Sequence, residues 1–185
     1  MWPRPAASND DRAAGALYAE YVAPLLYQEV RESRGLAYTT FGGYSPGSRK
    51  NDAAEAFAFA GTQGDKTHDA LDAIEDTIKK PVDDVRFKEA QAAIAQKFRT
   101  QRVAPRAIPF SVWVWLDQGE KADPRAVRTE RIAKLDKATL EKWIKATLAA
   151  PMIVSIAGDR KKLDEAKLKK VAPVTWVPVE KLFAY

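Results

Sequence analysis

The chain is poor in imidazole and thiolate side chains, the groups that most often bind catalytic zinc. The 185 residues include one histidine, His68, and no cysteine. A catalytic zinc site takes three protein ligands, usually with at least two imidazoles or thiolates among them, so these residues cannot build one. A lone histidine also leaves little scope for general-base hydrolysis. The composition therefore argues against a self-contained hydrolase, and we expect His68 to be an exposed or capping residue at a helix start.

The charged residues do not favour a nucleic-acid-binding function. The net charge is +5, which would suit an acidic partner, but 25 acidic residues are interspersed with the 30 basic ones. We therefore expect a soluble surface rather than a strongly basic face. A cluster of lysines is expected to be a solvated helix face; it comprises Lys161, Lys162, Lys167, Lys169 and Lys170. No stretch approaches the ~20 apolar residues of a membrane span.

The N-terminal region predicts a helix that starts at a capping box. Ser8 and Asp11 have the spacing of that motif, and apolar residues follow at helical intervals. Pro24 is expected to kink this helix or to start a second short one, which ends near Gly35. The first eight residues contain Pro3 and Pro5, which are poor strand residues, so we expect no strand there.

Two central segments predict an antiparallel pair of strands. Residues 36–44 are rich in aromatic and β-branched residues, and residues 55–61 alternate strictly. In the second segment, Phe57 and Phe59 point one way and small alanines the other. We expect both faces of this pair to be covered.

The remaining residues predict mainly helices. Trp115 is expected in the core, whereas Trp113 could line an interface or a peptide chamber. Residues 152–157 and 174–177 predict two more strands, and residues 182–185 are expected to pack. The whole chain, residues 1–185, is thus predicted to be one α+β domain with helices covering one face of a mainly antiparallel sheet. The predicted helices are residues 67–80, one from Asp83 or Asp84 to about Arg102, and others starting at Pro109, at Asp123-Pro124, after Asp136 and after Gly158-Asp159.

Three segments resemble the C-terminal domain of the pitrilysin/insulinase family of zinc metallopeptidases, the inverzincins. Residues 27–38 read Tyr-Gln-Glu-Val-Arg-Glu-Ser-Arg-Gly-Leu-Ala-Tyr, similar to that family's F-Q-E-x-R-E-x-x-x-L-A-Y segment. Residues 61–67, Gly-Thr-Gln-Gly-Asp-Lys-Thr, resemble a G-T-Q-x-D-K turn of bacterial members. Residues 156–168 and 182–185 resemble the closing pattern. The three occur in the expected order and span nearly the whole chain.

The resemblance implies a role for Arg31 and Tyr38. In the family, two homologous domains close around a peptide; one carries zinc on an H-x-x-E-H helix, and the other contributes an Arg and a Tyr seven residues apart. Arg31 and Tyr38 have that spacing. They would bind the substrate backbone, and Tyr38 would help to stabilise the oxyanion. The zinc would lie in an N-terminal half or a partner subunit, since this chain has no H-x-x-E-H and no metal ligands are assigned to it. Bacterial relatives are often periplasmic.

Two alternatives stay open. By spacing alone, Arg31 would favour the dipole of a helix C-terminus and Tyr38 would pack in the sheet; the surrounding segment favours substrate binding instead. We expect Arg34 to be a surface residue. The same fold also occurs in catalytically inactive structural or assembly subunits. The chain departs from the family before its first helix, so we expect a truncated or divergent domain that lacks the opening hairpin.

Overall fold

The computed structural model describes residues 1–182 and has the predicted α+β architecture. In the described residues, eight α-helices accompany a small three-stranded antiparallel sheet. The strands are β1 (Trp2–Ala6), β2 (Thr39–Ser45) and β3 (Ala53–Gly61). The helices are α1 (Asn9–Leu26), α2 (Thr67–Ile78), α3 (Asp84–Thr100), α4 (Ile108–Asp117), α5 (Arg125–Lys134), α6 (Lys137–Leu148), α7 (Glu165–Val171) and α8 (Val179–Leu182).

The predicted pairing of the two central strands is confirmed. The sheet has the order β1-β3-β2, and β2 runs antiparallel to β3 in an unbroken register from Thr39↔Gly61 to Ser45↔Glu55. Ala54 and Ala56 of β3 are fully buried, because α1 packs on their side of the sheet. Small side chains on that face allow the helix to approach closely.

The expectation that no strand precedes the first helix is wrong. β1 pairs antiparallel with β3 from Trp2↔Ala56 to Ala6↔Ala53, with an irregularity between Arg4 and Ala6. A proline can occupy an edge strand if its missing N–H would have pointed away from the sheet. Here a single strand, rather than a hairpin, precedes α1.

The same prolines explain why residues 152–157 form no strand, contrary to prediction. The Met1 N-terminus donates to the carbonyl of Ile153 at 2.7 Å, and the Ile153 N–H donates to the carbonyl of Met1 at 2.9 Å. The backbone groups of Met1 therefore point to the outer edge of β1. Because alternate residues of a strand face the same edge, the backbone of Pro3 and Pro5 faces that edge too. Neither proline has an N–H to continue the ladder. The pairing stops after Ile153, and Val154 and Ile156 remain exposed.

The core lies between α1 and the elements that surround it. The capping box is present: Ser8 Oγ accepts from the Asp11 N–H at 3.1 Å, and Asp11 accepts from the Ser8 N–H at 3.1 Å. Pro24 does not interrupt α1, which continues to Leu26 and then passes into a π-helix, Tyr27–Glu32. The largest fully buried side chains are Leu17, Leu26, Ile132, Leu140, Val22, Val30, Thr77 and Thr147.

The helical predictions are largely confirmed and the last strand prediction is wrong. Asp83 caps α3 and Asp136 caps α6, each by accepting a backbone N–H three residues on. Residues 174–177 have no strand partner among residues 1–182. Of the segment 182–185, only residue 182 is described.

Candidate functional site

A fixed turn joins the two residues singled out by the sequence, Arg31 and Tyr38. The π-helix Tyr27–Glu32 carries Arg31 in its last turn, and Gly35 ends the helix with a φ of 61°, a conformation that favours glycine. The Gly35 N–H donates to the Arg31 carbonyl at 3.1 Å, and the Leu36 N–H donates to the Val30 carbonyl at 3.0 Å. The backbone between the two residues is therefore hydrogen-bonded like a helix cap.

Two ion pairs link the turn and the π-helix before it to α2 and to the residue Lys80 that follows α2. Lys80 Nζ lies 2.8 Å from Glu29 Oε2, and Arg34 Nη1 lies 3.5 Å from Asp76 Oδ2. The hydrogen bond from Lys80 is the main reason that the pKa of Glu29 is lowered. Arg34 is exposed, as predicted, and engages an acidic side chain on the surface.

The backbone of Tyr38 is held by a hydrogen bond, and its side chain is exposed to solvent. Its N–H donates to the carbonyl of Gly61 at 2.8 Å, which places it beside the start of β2. The residue is 71% exposed, which contradicts the alternative in which Tyr38 packs in the sheet. Gln63 Nε2 donates to the Tyr38 hydroxyl oxygen at 2.9 Å. With that oxygen accepting, the phenolic proton remains available to an external acceptor.

Sequence reasoning missed Gln63. In the sequence, residues 61–67 were interpreted only as a segment that resembles a turn of the pitrilysin/insulinase family. In the structure, two of their side chains contact the segment 27–38. Besides the Gln63 bond, Thr62 Oγ1 donates to the carbonyl of Leu36. The segments 27–38 and 61–67 thus contact each other in the structure. Their joint presence in one sequence was the only indication of this contact.

Arg31 is exposed on the same turn as Tyr38. Its guanidinium carbon lies 4.8 Å from the centroid of the Tyr27 ring, a cation–π distance. Within residues 1–182, Arg31 forms no ion pair with a carboxylate. Its donors therefore remain available, while its position in the last turn also suits the helix dipole.

The aromatic face of the sheet is open, contrary to the expectation that both faces are covered. Phe41 and Phe59 are directly paired across β2 and β3, with ring centroids 4.7 Å apart. They are 48% and 45% exposed, although phenylalanine is usually buried. Phe57 meets Phe41 edge-on at 6.1 Å. Phe41 lies on β2, the strand that begins directly after Tyr38, so the exposed aromatic face is close in sequence to Tyr38.

A second apolar surface lies on α4. Its solvent-facing side bears only apolar residues, with Trp113 59% exposed, and no residue of the helix is buried. Trp115 is half-buried rather than a core residue as predicted; the guanidinium of Arg125 lies 5.5 Å from its ring centroid. The outward residues are Ile108, Pro109, Phe110, Val112, Trp113 and Leu116.

The structure describes no metal centre in residues 1–182, where no group of three or more His, Cys, Asp or Glu side chains could hold an ion. His68 lies in the first turn of α2, with Nε2 3.1 Å from the carbonyl oxygen of Asp164. That contact ties α2 to the segment before α7. The five clustered lysines are all exposed, as expected.

Comparison with known proteins adds no assignment. No protein-family model matches the chain, and no curated protein matches it. In the part of the chain that the structure describes, no helix is both long and apolar enough to cross a membrane. Any function must therefore be argued from the residues and their geometry.

Proposed function

We propose that this chain is the non-catalytic, substrate-binding half of a zinc metallopeptidase of the pitrilysin/insulinase type. Its partner is a zinc-carrying half with an H-x-x-E-H helix, either another domain or another subunit. Its substrate is a peptide enclosed between the two halves. Arg31 and Tyr38 are the residues that bind the peptide backbone.

The observation that carries this proposal is the state of Tyr38. Its backbone is fixed by Gly61, its oxygen accepts from Gln63, and its ring is exposed. A phenol in this state can donate to a peptide carbonyl and to the oxyanion that develops from it. Donors held in advance at such a position stabilise a transition state by about 3–4 kcal/mol in other enzymes.

Arg31 adds a charged donor at the other end of the turn that leads to Tyr38. A guanidinium has donors in a planar fork and stays protonated at any working pH. It suits the carbonyls or the terminal carboxylate of a peptide. The zinc-bearing half would supply the polarisation of water and of the scissile carbonyl.

The two exposed apolar surfaces also support a half that works against another protein surface. Single exposed apolar residues are common, but contiguous apolar patches mark interfaces or binding grooves. The open sheet face at Phe41 and Phe59 lies along the strand that starts beside Tyr38. It could accept apolar side chains of an extended peptide.

Complementation tests the proposal. The chain is mixed with the zinc-bearing half encoded upstream in the same gene or in an adjacent one, and hydrolysis of a quenched fluorescent peptide is followed. We expect neither half to cleave the peptide alone and the mixture to cleave it. A mixture that forms a complex with full zinc content but no activity would contradict the proposal.

One observation favours a second candidate, an inactive structural or assembly subunit of the same fold. The outward side of α4 is wholly apolar, which suits permanent burial in an assembly more than a transient contact. This candidate predicts a stable complex whose partner carries a degenerate zinc motif. The sequence of the partner and the absence of peptide hydrolysis would distinguish it.

A further inference from the structure

Arg12 is a charged residue in the interior of the fold. It lies in the second turn of α1, is 5% exposed, and is followed by the buried Ala13 and Ala14. Its Nη1 atom is inaccessible to solvent and has no hydrogen-bond partner. Within residues 1–182, no carboxylate forms an ion pair with it. A buried guanidinium without a counter-charge is strongly unfavourable, so a balancing group is expected.

Arg128 is a second cation, on a helix that packs against α1. It lies on α5, which packs against α1, and Arg131 pairs with Asp10 to hold the two helices together. Arg128 Nη2 is buried and has no hydrogen-bond partner; the nearest carboxylate oxygen, of Glu120, is 3.8 Å away. Burial lowers the pKa of Arg128, and the charge of Arg12 lowers it further. The charge of Arg12 thus acts on Arg128 across the packed helices α1 and α5.

Tyr44 completes the set. Its hydroxyl is buried without a hydrogen-bond partner, while its ring packs against Gly15 and meets the Trp143 ring edge-on at 5.1 Å. Burial and the charge of Asp11 raise the pKa of Tyr44, whereas Arg4 and Arg12 act in the opposite direction. Tyr44 therefore packs on α1 at Gly15, three residues after Arg12, while Arg128 lies on the helix that packs against α1.

The neighbouring carboxylates are committed elsewhere. Asp11 accepts from Ser8 and from Trp143 Nε1 at 3.0 Å, and Asp123 accepts from Arg125. No acid on these elements therefore balances Arg12. The half-buried Arg128 and Tyr44 give the site a path to solvent.

We propose that Arg12, Arg128 and Tyr44 bind one small oxyanion, a phosphate-like or carboxylate group, between α1, α5 and β2. Two guanidinium groups and a phenol offer forked donors of the kind that oxyanions accept. The site is separate from the turn of Arg31 and Tyr38 and does not depend on the peptidase function. An anion there would join the first helix to α5 and stabilise the fold.

Thermal unfolding of the whole chain tests this site. Unfolding midpoints are compared in chloride, phosphate and acetate at equal ionic strength, where phosphate and acetate separate a tetrahedral from a carboxylate ligand. We expect one of the two anions to raise the midpoint by about 5 °C or more once it exceeds its Kd a hundredfold. Equal midpoints in all three salts would overturn the site.

Substitutions locate the effect. Arg12→Met is expected to unfold at the same or a higher temperature than wild type in chloride, because an unpaired buried charge is removed, but at a lower one in the binding anion. Arg128→Met should weaken anion binding at least tenfold, and it keeps the test valid if Arg12→Met fails to fold. Arg34→Gln, which removes the same charge from the surface, should respond like wild type. Retention of the full anion response in Arg128→Met would contradict the assignment.

Discussion

Gln63, in the turn between β3 and α2, donates a hydrogen bond at 2.9 Å to the hydroxyl of Tyr38, the residue before β2. This contact joins two of the three segments on which the sequence resemblance rests. It occupies one lone pair of the phenol and leaves its proton directed to other acceptors. In the proposed function, Gln63 would therefore position the hydroxyl of Tyr38.

Replacement of Gln63 tests that role. A single hydrogen bond contributes about 0.5–1.5 kcal/mol, so Gln63→Ala should lower kcat/KM of the reconstituted peptidase about two- to tenfold. Combined with Tyr38→Phe, it should add little, because both changes remove one function. Gln101→Ala, at another exposed glutamine, should leave kcat/KM unchanged. Additive losses in the double variant would argue against a shared role.

Gly35 should be hard to replace, for a reason of backbone conformation alone. Its φ is 61°, yet a Cβ there would meet no atom within 4 Å. Gly35→Ala is expected to cost about 1–2 kcal/mol in the free energy of unfolding. Gly158 has equal space and no positive φ, so Gly158→Ala should be nearly neutral. Urea denaturation measures both, and equal losses would show that the turn is not under this constraint.

Asp11 should make the fold sensitive to acid. Burial opposes its ionisation, but hydrogen bonds from Ser8 and Trp143 and the charge of Arg4 lower its pKa overall. The unfolded chain therefore takes up the proton first. The stability conferred by the Asp11 carboxylate is present above about pH 4 and is lost as the pH falls through the lowered pKa.

Unfolding curves at several pH values check this dependence. Asp11→Asn should be less stable than wild type at pH 7, with a smaller difference at pH 2–3. Asp72→Asn, at an exposed position, should follow the wild-type profile. A constant difference between Asp11→Asn and wild type across this range would refute the prediction.

The apolar side of α4 should make the isolated chain self-associate. The rings of Phe110 and Trp113 are exposed and lie at a tilted angle of 48°, with centroids 5.6 Å apart. The double variant Phe110→Ser, Trp113→Ser is expected to reduce self-association in sedimentation velocity, while stability changes by only about 0.5 kcal/mol. Val85→Ser, at an isolated exposed valine, is the control. Unchanged self-association would mean that the apolar side of α4 does not mediate it.

Local rules predicted the helices well, because each start is encoded within a few residues. Ser8 with Asp11, Asp83 and Asp136 all cap helices where expected. The strands were harder, because a strand needs a partner edge that its own residues do not encode. The apolar segment 152–157 has strand-like composition, but Pro3 and Pro5 of β1 have no backbone N–H with which to pair it.

The sequence singles out the two candidate site residues, but it does not reveal what surrounds them in the fold. The spacing of Arg31 and Tyr38, with its resemblance to a family motif, singled out two residues on one turn. Whether Tyr38 packs or projects depends on tertiary packing, and the structure exposes it. The hydrogen bond from Gln63 joins residues that are 25 positions apart, so no local pattern reveals it. The burial of Arg12 without a hydrogen-bond partner for Nη1 likewise depends on segments distant in the sequence.

The comparison of Tyr38→Phe with Tyr27→Phe in the reconstituted peptidase tests the central claim most directly. Each change removes one hydroxyl from an exposed ring within the same segment, residues 27–38. Loss of an oxyanion donor typically lowers kcat about 10²–10³-fold, so Tyr38→Phe should show such a loss with zinc content and complex formation unchanged. Tyr27→Phe should keep nearly full activity. Equal activity in the two variants would contradict the assignment of Tyr38 to the reacting peptide.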